Sequence, residues 1–203
     1  MRTKLFLDLE FTGLHQATTP ISLGIISECG KTFYAEFTDY DKTQLDDWLE
    51  SNVISNTWVT KHNPITSMGE VVNEDRWADV HVFGSSEYIK PFLENWLSQF
   101  EKIVIWSDCL AYDWVLFNQI WGHAFSIPKN VYYIAMDICT FFEIRGIDPD
   151  VSREEFATNT FSENKEPLFF DKRTGDLLEK KKHNALWDAF IIRECYDKLI
   201  KLD

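Results

Sequence analysis

Near its N-terminus the chain has a short apolar run, Lys4-Leu5-Phe6-Leu7-Asp8-Leu9. The length and composition of this run predict a buried β-strand. Two further runs, Ile21–Ser27 and Lys31–Thr38, are rich in Ile, Phe, Tyr and Thr and are joined through a short turn at residues 28–30. The three neighbouring runs together predict an antiparallel meander of three strands.

The rest of the chain alternates between helical and strand-like patterns. Further strands are predicted at Lys102–Trp106 and Val131–Met136. Apolar residues at helical spacing predict helices at Asp41–Ser51 (with Leu45, Trp48 and Leu49 on one face), Glu87–Phe100, Ala111–Trp121, Ile138–Ile144 and Asn184–Ile200. A meander followed by strands reached through helices predicts an α/β chain with a mixed five-stranded sheet, antiparallel and parallel, flanked by helices. This is the arrangement of the ribonuclease-H-like fold.

Length and composition indicate one folded domain over residues 1–203. The apolar fraction of 45 % excludes a disordered chain, and the apolar runs are too short to span a bilayer. Asp8 and Glu10 interrupt the N-terminal apolar segment where a signal peptide needs it to continue. The polar segments 53–86 and 148–182 are expected to be insertions, the first a long loop with short elements and the second flexible or ordered on binding.

The charge and the cysteines exclude several classes of protein. The net charge of −13 argues against a protein that coats duplex DNA. It does not exclude an enzyme that holds a nucleic-acid end through metal ions, since divalent cations reverse the local charge. The four cysteines lie far apart and form no C-x-x-C pair, so a zinc knuckle is not expected. We expect instead reduced thiols in a cytoplasmic protein.

Asp8 and Glu10 lie two residues apart in the first predicted strand. Because side chains alternate along a strand, both carboxylates should share one face, and Leu7 and Leu9 should point to the core on the other. Two carboxylates on one face repel each other unless a positive charge lies between them. Their oxygen ligands suit Mg²⁺ or Mn²⁺, and a solvated strand edge is the alternative.

Two later stretches bring further acids and a histidine. Asp113 falls in the first turns of a predicted helix, where the helix dipole alone also accounts for a carboxylate, and Asp108 is expected to act as the N-cap of that helix. His183 and Asp188 lie five residues apart, so they cannot share a helix face. His183 is therefore expected just before the last helix, with Asp188 pointing inward. An imidazole beside a metal-binding carboxylate is well placed to accept a proton from water.

In this order the stretches resemble the DEDDh family of 3′–5′ exonucleases. Residues 8–14 look like the family's D-x-E-x-T-G-L motif, residues 183–188 look like its H-x-A-x-x-D motif, and residues 111–113 match between them. The chain is further similar to the ribonuclease AS group, compact exoribonucleases that prefer adenylate-rich RNA, in the Tyr34–Tyr40 stretch, in Trp106 and in its short length. The resemblance covers most of the chain except the two insertions.

The resemblance implies a set of functional residues. It implies two divalent ions, Mg²⁺ or Mn²⁺, with His183 as general base and four metal-binding carboxylates, Asp8, Glu10, Asp113 and Asp188. It also implies that the turn after the first strand lines the terminal nucleotide through Phe11, Thr12, Gly13 and Leu14. From the residues alone, Gly13 equally fits a structural turn, and Phe11 and Leu14 equally fit the core.

Two other features are open to a substrate role. Trp114 has a ring that stacks on a base in some single-strand binding sites, with packing in the core as the alternative. The lysines at 180–182 precede His183 and are expected to guide the phosphate backbone, with a solvated loop as the alternative.

The sequence therefore predicts a metal-dependent 3′–5′ exonuclease acting on single-stranded 3′ ends, with RNA favoured by the subgroup resemblance. The expected product is a nucleoside monophosphate, no membrane partner is expected, and the relatives suggest a homodimer. A DNA exonuclease of the proofreading or repair kind and a nuclease-like module that binds without cleaving are the alternatives.

Overall fold

Seven β-strands form one mixed sheet in the computed structural model, which describes residues 1–58, 78–158 and 182–202 and, for residues 70–73, the backbone only. The strands are β1 (Thr3–Phe11), β2 (Pro20–Ser27), β3 (Thr32–Phe37), β4 (Glu70–Asn73), β5 (Val80–Gly84), β6 (Ile103–Ser107) and β7 (Met136–Asp137). Their order across the sheet is β4-β5-β3-β2-β1-β6-β7. Strand β1 therefore lies between its antiparallel neighbour β2 and its parallel neighbour β6.

The predicted meander is confirmed, because β1 pairs with β2 and β2 with β3, both antiparallel. Side chains alternate along β1 as expected. Leu7 and Leu9 belong to the hydrophobic core on one face of the sheet, whereas Phe6 belongs to the core on the opposite face. Asp8 and Glu10 follow Phe6 at even spacing and so lie on its face.

The helices of the described chain are α1 (Asp47–Asn52), α2 (Ser86–Ser98), α3 (Ala111–Gln119), α4 (Ile138–Ile144), α5 (Arg153–Thr158) and α6 (Ala185–Leu199). Helices α2 and α3 pack on the Leu7 face of the sheet, and α4, α5 and α6 pack on the Phe6 face. The predicted sheet flanked by helices is confirmed. The helices predicted for α2, α3, α4 and α6 match the observed ones to within two residues at each end.

The continuous helix predicted at residues 41–51 is wrong. Asp41 and Asp46 each cap the start of a separate short element, a 3₁₀ turn at Lys42–Gln44 and helix α1. An aspartate at an N-cap marks the start of a helix, because its side chain accepts a hydrogen bond from a free N–H group of the first turn. A second N-cap at Asp46 therefore starts a new helix there and prevents one continuous helix. The backbone between the two elements is accordingly extended at Leu45.

The sheet has seven strands where five were predicted. Strand β5 lies in the segment predicted as a loop, pairs parallel with β3, and carries β4 antiparallel on its other side. The strand predicted at Val131–Met136 is reduced to the two residues of β7, and Val131 makes an isolated bridge with Ile103. Strand β5 has five residues, too few for a clear periodic pattern inside a polar segment.

The second predicted insertion contains helix α5. Its remainder from 159 to 181, including two of the three lysines at 180–182, lies outside the described residues. In the part of the chain that the structure describes, no helix combines the length and the apolar character needed to cross a bilayer.

Gly24 allows the start of α6 to pack directly on β2. A Cβ atom at this position would lie 2.2 Å from the backbone carbonyl carbon of Ala185, far inside any allowed contact. Gly24 is also the register partner of Asp8 on β1. The absence of a side chain at Gly24 therefore brings the N-terminus of α6 close to Asp8.

Candidate active site

Four carboxylates from three elements converge on one cleft. Asp8 and Glu10 come from β1, Asp113 comes from α3 and Asp188 comes from α6. The cleft has a volume of about 960 Å³, and His183 also lies on its wall. The structure thus brings together all five residues that the sequence predicts to be catalytic.

The two acids of β1 lie in surroundings that disfavour negative charge. Burial raises the pKa of Asp8 well above its ordinary value, and the charge of Asp113 raises it further. Burial also raises the pKa of Glu10, and the charge of Asp188 raises it further. Carboxylates in such surroundings favour the protonated state unless a cation compensates their charge.

Asp113 is buried in the first turn of α3 and is oriented by two neighbouring strands. The hydroxyl of Ser107, the last residue of β6, donates a hydrogen bond to its Oδ2. The backbone N–H of Leu9 on β1 donates another. Burial raises the pKa of Asp113 to about 7, although both hydrogen bonds oppose the shift.

Asp188 lies in the first turn of α6, which Asn184 caps by accepting a hydrogen bond from the Trp187 N–H at 3.2 Å. His183 precedes the cap, as predicted, with a left-handed φ of 64°. Its backbone N–H donates to Oδ2 of Asp188 at 2.8 Å. Burial raises the pKa of Asp188 to about 7, although this hydrogen bond opposes the shift.

The imidazole of His183 lies between the acids and an aromatic ring. Its Nδ1 is 3.9 Å from Oε1 of Glu10, and the side chains of Glu10 and Asp188 are hydrogen-bonded to each other. Trp48 contacts the imidazole edge-on, with 5.1 Å between ring centroids. Burial and the charge of Lys182 lower the pKa of His183, which favours the neutral ring.

The turn after β1 lines the cleft with all four of its predicted substrate-binding residues, Phe11, Thr12, Gly13 and Leu14. Leu14 is 76 % exposed and projects from the wall of the cleft. Phe11 stacks on Tyr112 with 5.5 Å between ring centroids. Thr12 is buried, and its hydroxyl accepts a hydrogen bond from the Thr19 N–H at 2.9 Å, so this residue holds the turn in place.

The structure does not bring Trp114 to the cleft. Its ring stacks on Phe117, with 5.5 Å between centroids and 12° between planes, and it packs against the hydrophobic core. This packing favours the alternative, a place against the core, and a contact between Trp114 and substrate stays a prediction. The side chain points away from the cleft because it lies one residue beyond Asp113 on the same helix.

Among the cleft residues to which the sequence prediction gives no role are Trp48, Tyr112 and Arg153. Helical spacing assigns Trp48 to a buried face, but its side chain is 53 % exposed because α1 begins only at residue 47. Arg153 comes from α5 in the polar insertion, where no motif indicates a role. The sequence signal for Tyr112 is its place in the matching stretch 111–113, next to Asp113.

The N-cap role predicted for Asp108 is wrong. Leu110 occupies the N-cap of α3 and makes no side-chain hydrogen bond there. Asp108 instead forms an ion pair with Arg153, with 2.9 Å between Oδ2 and Nε. It also accepts a hydrogen bond from the thiol of Cys139 at 3.0 Å. An arginine from α5 thus holds the turn between β6 and α3.

The donor set of the cleft fits hard divalent cations. Four buried or half-buried carboxylates offer only oxygen ligands, the type that Mg²⁺ and Mn²⁺ prefer. Among the described residues, Glu10 is the one acid of the four with an ion-pair contact, and its partner is His183. Burial is the largest cause of the raised pKa of each of these acids, so their charged form needs a compensating cation.

Comparison with known proteins assigns residues 3–199 of the chain to one family. A family model described as the 3′-5′ exoribonuclease Rv2179c-like domain matches residues 3–199, from the start of β1 to the end of α6. Two relatives are the 3′-5′ exoribonucleases Rv2179c and MT2234.1 from two strains of Mycobacterium tuberculosis. Each is 26 % identical over 145 residues, which cover 70 % of this chain and 76 % of the relative. The chain therefore belongs to the Rv2179c-like family of 3′–5′ exoribonuclease domains.

Proposed function

We propose that this protein is a metal-dependent 3′–5′ exoribonuclease of the DEDDh type with a ribonuclease-H-like fold, related to the ribonuclease AS group. The observation that supports it most strongly is the convergence of four carboxylates and one histidine on a single cleft. Membership of an exoribonuclease family supports the hydrolytic activity, and the names of the two relatives, both 3′-5′ exoribonucleases, support RNA as substrate.

The proposed substrate is the 3′ end of single-stranded RNA, and the product is a nucleoside 5′-monophosphate. The exposed side chain of Leu14 and the stacked rings of Phe11 and Tyr112 offer an apolar surface to the terminal base and ribose. Lys182 is exposed beside the cleft and offers a cation to the phosphate backbone.

The carboxylates of Asp8, Glu10, Asp113 and Asp188 would hold two Mg²⁺ or Mn²⁺ ions. When bound, these ions supply Lewis-acid activation and compensate the charge that the scissile phosphate brings next to four acids. The protein orients the ligands beforehand: the Ser107 hydroxyl and the Leu9 N–H fix Asp113, and the His183 N–H fixes Asp188.

His183 is the proposed general base. Its neutral imidazole accepts a proton from the water that attacks the terminal phosphodiester, while the bond from phosphorus to the 3′ oxygen breaks. The edge-on contact with Trp48 and the closeness of Glu10 orient the ring. Since the side chain remains 29 % exposed, the accepted proton can pass to solvent after each cycle.

The test is hydrolysis of 5′-labelled RNA and DNA oligonucleotides with Mg²⁺, with Mn²⁺ or with EDTA. We expect RNA to shorten stepwise from its 3′ end with either metal and to remain intact with EDTA. Degradation of DNA alone would support the alternative of a proofreading or repair exonuclease. Tight binding of ends without any shortening would overturn the proposal in favour of a module that does not cleave.

Replacing the general base gives a sharper measurement. His183→Ala should lower kcat about 10²- to 10⁴-fold, the range usual for general acid–base catalysis. His123→Ala is the matched control, because His123 is exposed and its Nδ1 accepts only a local hydrogen bond, from the Phe125 N–H at 3.1 Å. Equal activity of the His183→Ala variant and the control would contradict the role of His183.

Homodimer formation and a cytoplasmic location stay predictions. Large apolar side chains on the described surface, such as Phe125 at 88 % and Tyr133 at 63 % exposure, are available for a subunit interface. Light scattering of the purified protein should give the mass of two chains, and the mass of one chain would refute the dimer.

A further inference from the structure

Two cysteines that are 30 residues apart in sequence meet next to the cleft. Sγ of Cys109, in the turn between β6 and α3, lies 3.4 Å from Sγ of Cys139, in the first turn of α4. The other two thiols are elsewhere, with Cys29 exposed in the turn after β2 and Cys195 buried in α6. Two thiols at van der Waals distance need only a small rotation to reach the bonded separation of about 2.05 Å.

The surroundings distinguish the two thiols. Cys109 is exposed and lines the cleft, so its side chain is accessible to a small oxidant there. Cys139 is half-buried and its thiol donates a hydrogen bond to Asp108. Burial and this hydrogen bond raise the pKa of Cys139, which keeps it as the thiol. Cys109 is therefore the sulfur that an oxidant meets first.

A metal ion fits this cluster less well than a disulfide. Ligand atoms of Asp108, Cys109 and Cys139 lie within 4.8 Å of one another. However, the guanidinium of Arg153 contacts two of the three, with Nη2 at 3.0 Å from Oδ1 of Asp108 and 3.1 Å from Sγ of Cys139. A fixed positive charge at this position opposes a second cation.

We propose that Cys109 and Cys139 form a reversible disulfide with hydrogen peroxide as oxidant, and that this modification lowers the activity of the neighbouring cleft. The sulfur of Cys109 attacks one peroxide oxygen, which yields a sulfenic acid and releases the other oxygen as water. The sulfur of Cys139 then attacks the sulfenic sulfur, the S–S bond forms, and the hydroxyl leaves with the Cys139 proton as a second water. In total two thiols are oxidised and one peroxide is reduced.

The link to activity lies in the residues that surround the two thiols. Asp108, Cys109 and Arg153 all line the cleft, and the turn that contains Cys109 leads directly into the helix of Asp113. Bond formation draws Sγ of Cys139 away from Asp108 and Arg153, which together hold this turn. Displacement of the turn would move Asp113 relative to the acids of β1, and a misplacement of about 1 Å can lower a rate strongly.

Peptide mapping tests the modification without reference to activity. The full-length protein is treated with hydrogen peroxide, free thiols are alkylated, and the protein is digested with trypsin. The expected product is a disulfide-linked pair of peptides, residues 103–129 and 130–145, which reverts with dithiothreitol. Alkylated thiols in both peptides after peroxide treatment would overturn the disulfide. Since this readout needs no substrate, it stands even if the proposed nuclease activity fails.

The effect on the cleft, which rests on the proposed function, is measured as RNA hydrolysis before and after oxidation. We expect a loss of roughly tenfold that dithiothreitol reverses. The Cys139→Ser variant keeps a donor toward Asp108 and should resist the loss, whereas Cys29→Ser removes a thiol outside the cluster and should lose activity like the unmodified chain. A linked peptide pair with unchanged hydrolysis, or equal inhibition of Cys139→Ser, would overturn the regulatory part of the proposal.

Discussion

Asp108 and Asp113 lie five residues apart, on either side of the start of α3, but their surroundings differ in charge. Asp108 faces the guanidinium of Arg153 at 2.9 Å. The donors that reach Asp113 within the described chain are neutral, the Ser107 hydroxyl and the Leu9 N–H, and burial raises its pKa to about 7. The chain supplies a cation to Asp108, which holds the turn, whereas Asp113 receives only hydrogen bonds that orient it.

The other three acids of the candidate site resemble Asp113 and differ from Asp108. Asp8, Glu10 and Asp188 also have raised pKa values, with burial as the largest cause of each shift. A cluster of this kind lowers the stability of the unliganded protein at neutral pH and favours the binding of cations. Asp108, paired with Arg153, thus marks a structural contact, whereas the buried acids with raised pKa values mark the candidate site.

The largest expected effect follows from removing one acid of the cleft. Asp113→Asn keeps the shape and the hydrogen bond from Ser107 but removes a charged ligand, so RNA hydrolysis should fall about 10³-fold. Asp150→Asn removes an equally charged but exposed aspartate and is the matched control. Steady-state rates with Mn²⁺ measure both variants. Similar rates for Asp113→Asn and Asp150→Asn would show that Asp113 has no role in hydrolysis.

A second effect concerns pH and metal. Burial raises the pKa of Asp113 and of Asp188 from 3.8 to about 7, so their contribution to the free energy of unfolding is complete below a pH of about 4 and is lost as the pH rises through about 7. In EDTA, the melting temperature should therefore fall by several degrees between about pH 5.5 and about pH 8. Mn²⁺ should restore it at the higher pH.

Asp188→Asn is the matching variant for this measurement, because it removes one of the titrating groups. Its melting temperature in EDTA should depend less on pH than that of the unmodified chain. Mn²⁺ should also stabilise it less at the higher pH. An identical pH dependence in both proteins would show that the cleft acids are not the source of the effect.

The smallest effect is expected at the compensated acid. Asp108→Asn leaves the guanidinium of Arg153, 15 % exposed, without its charged partner and should lower the free energy of unfolding by about 1–3 kcal/mol. Thermal unfolding measures this as a loss of several degrees. RNA hydrolysis should decrease less than tenfold, far less than for Asp113→Asn. A loss as large as that of Asp113→Asn would place Asp108 among the catalytic groups.

The sequence predicts those parts of the fold that depend on local pattern. Strands β1, β2, β3 and β6 and helices α2, α3, α4 and α6 each have a periodic or continuous apolar run, because one side of each packs on a core. The helix predicted at residues 41–51 fails because two capping aspartates, Asp41 and Asp46, compete with its periodicity. Strand β5 is missed because its place in the sheet depends on pairing with β3, which is distant in sequence.

The candidate site divides in the same way. Its carboxylates and His183 are found through the spacing of short motifs, which sequence displays directly. The sequence does not display the direction of single aromatic side chains. Trp48 lines the cleft although helical spacing assigns it to an apolar face, and Trp114, for which core packing and substrate contact are both open, packs against the core. The partnership of Asp108 with Arg153 joins two segments 45 residues apart, so no local pattern indicates it.

Gly24 has a consequence for how this architecture tolerates change. Between β2 and the segment that begins α6 there is no room for even a methyl group. Any other residue at this position would lift the last helix from the sheet and withdraw His183 and Asp188 together, while Asp8, Glu10 and Asp113 stayed where they are. Two of the five residues of the candidate site thus depend on the contact between Gly24 and the start of α6, and a chain altered there would keep its sheet while the cleft lost these two residues.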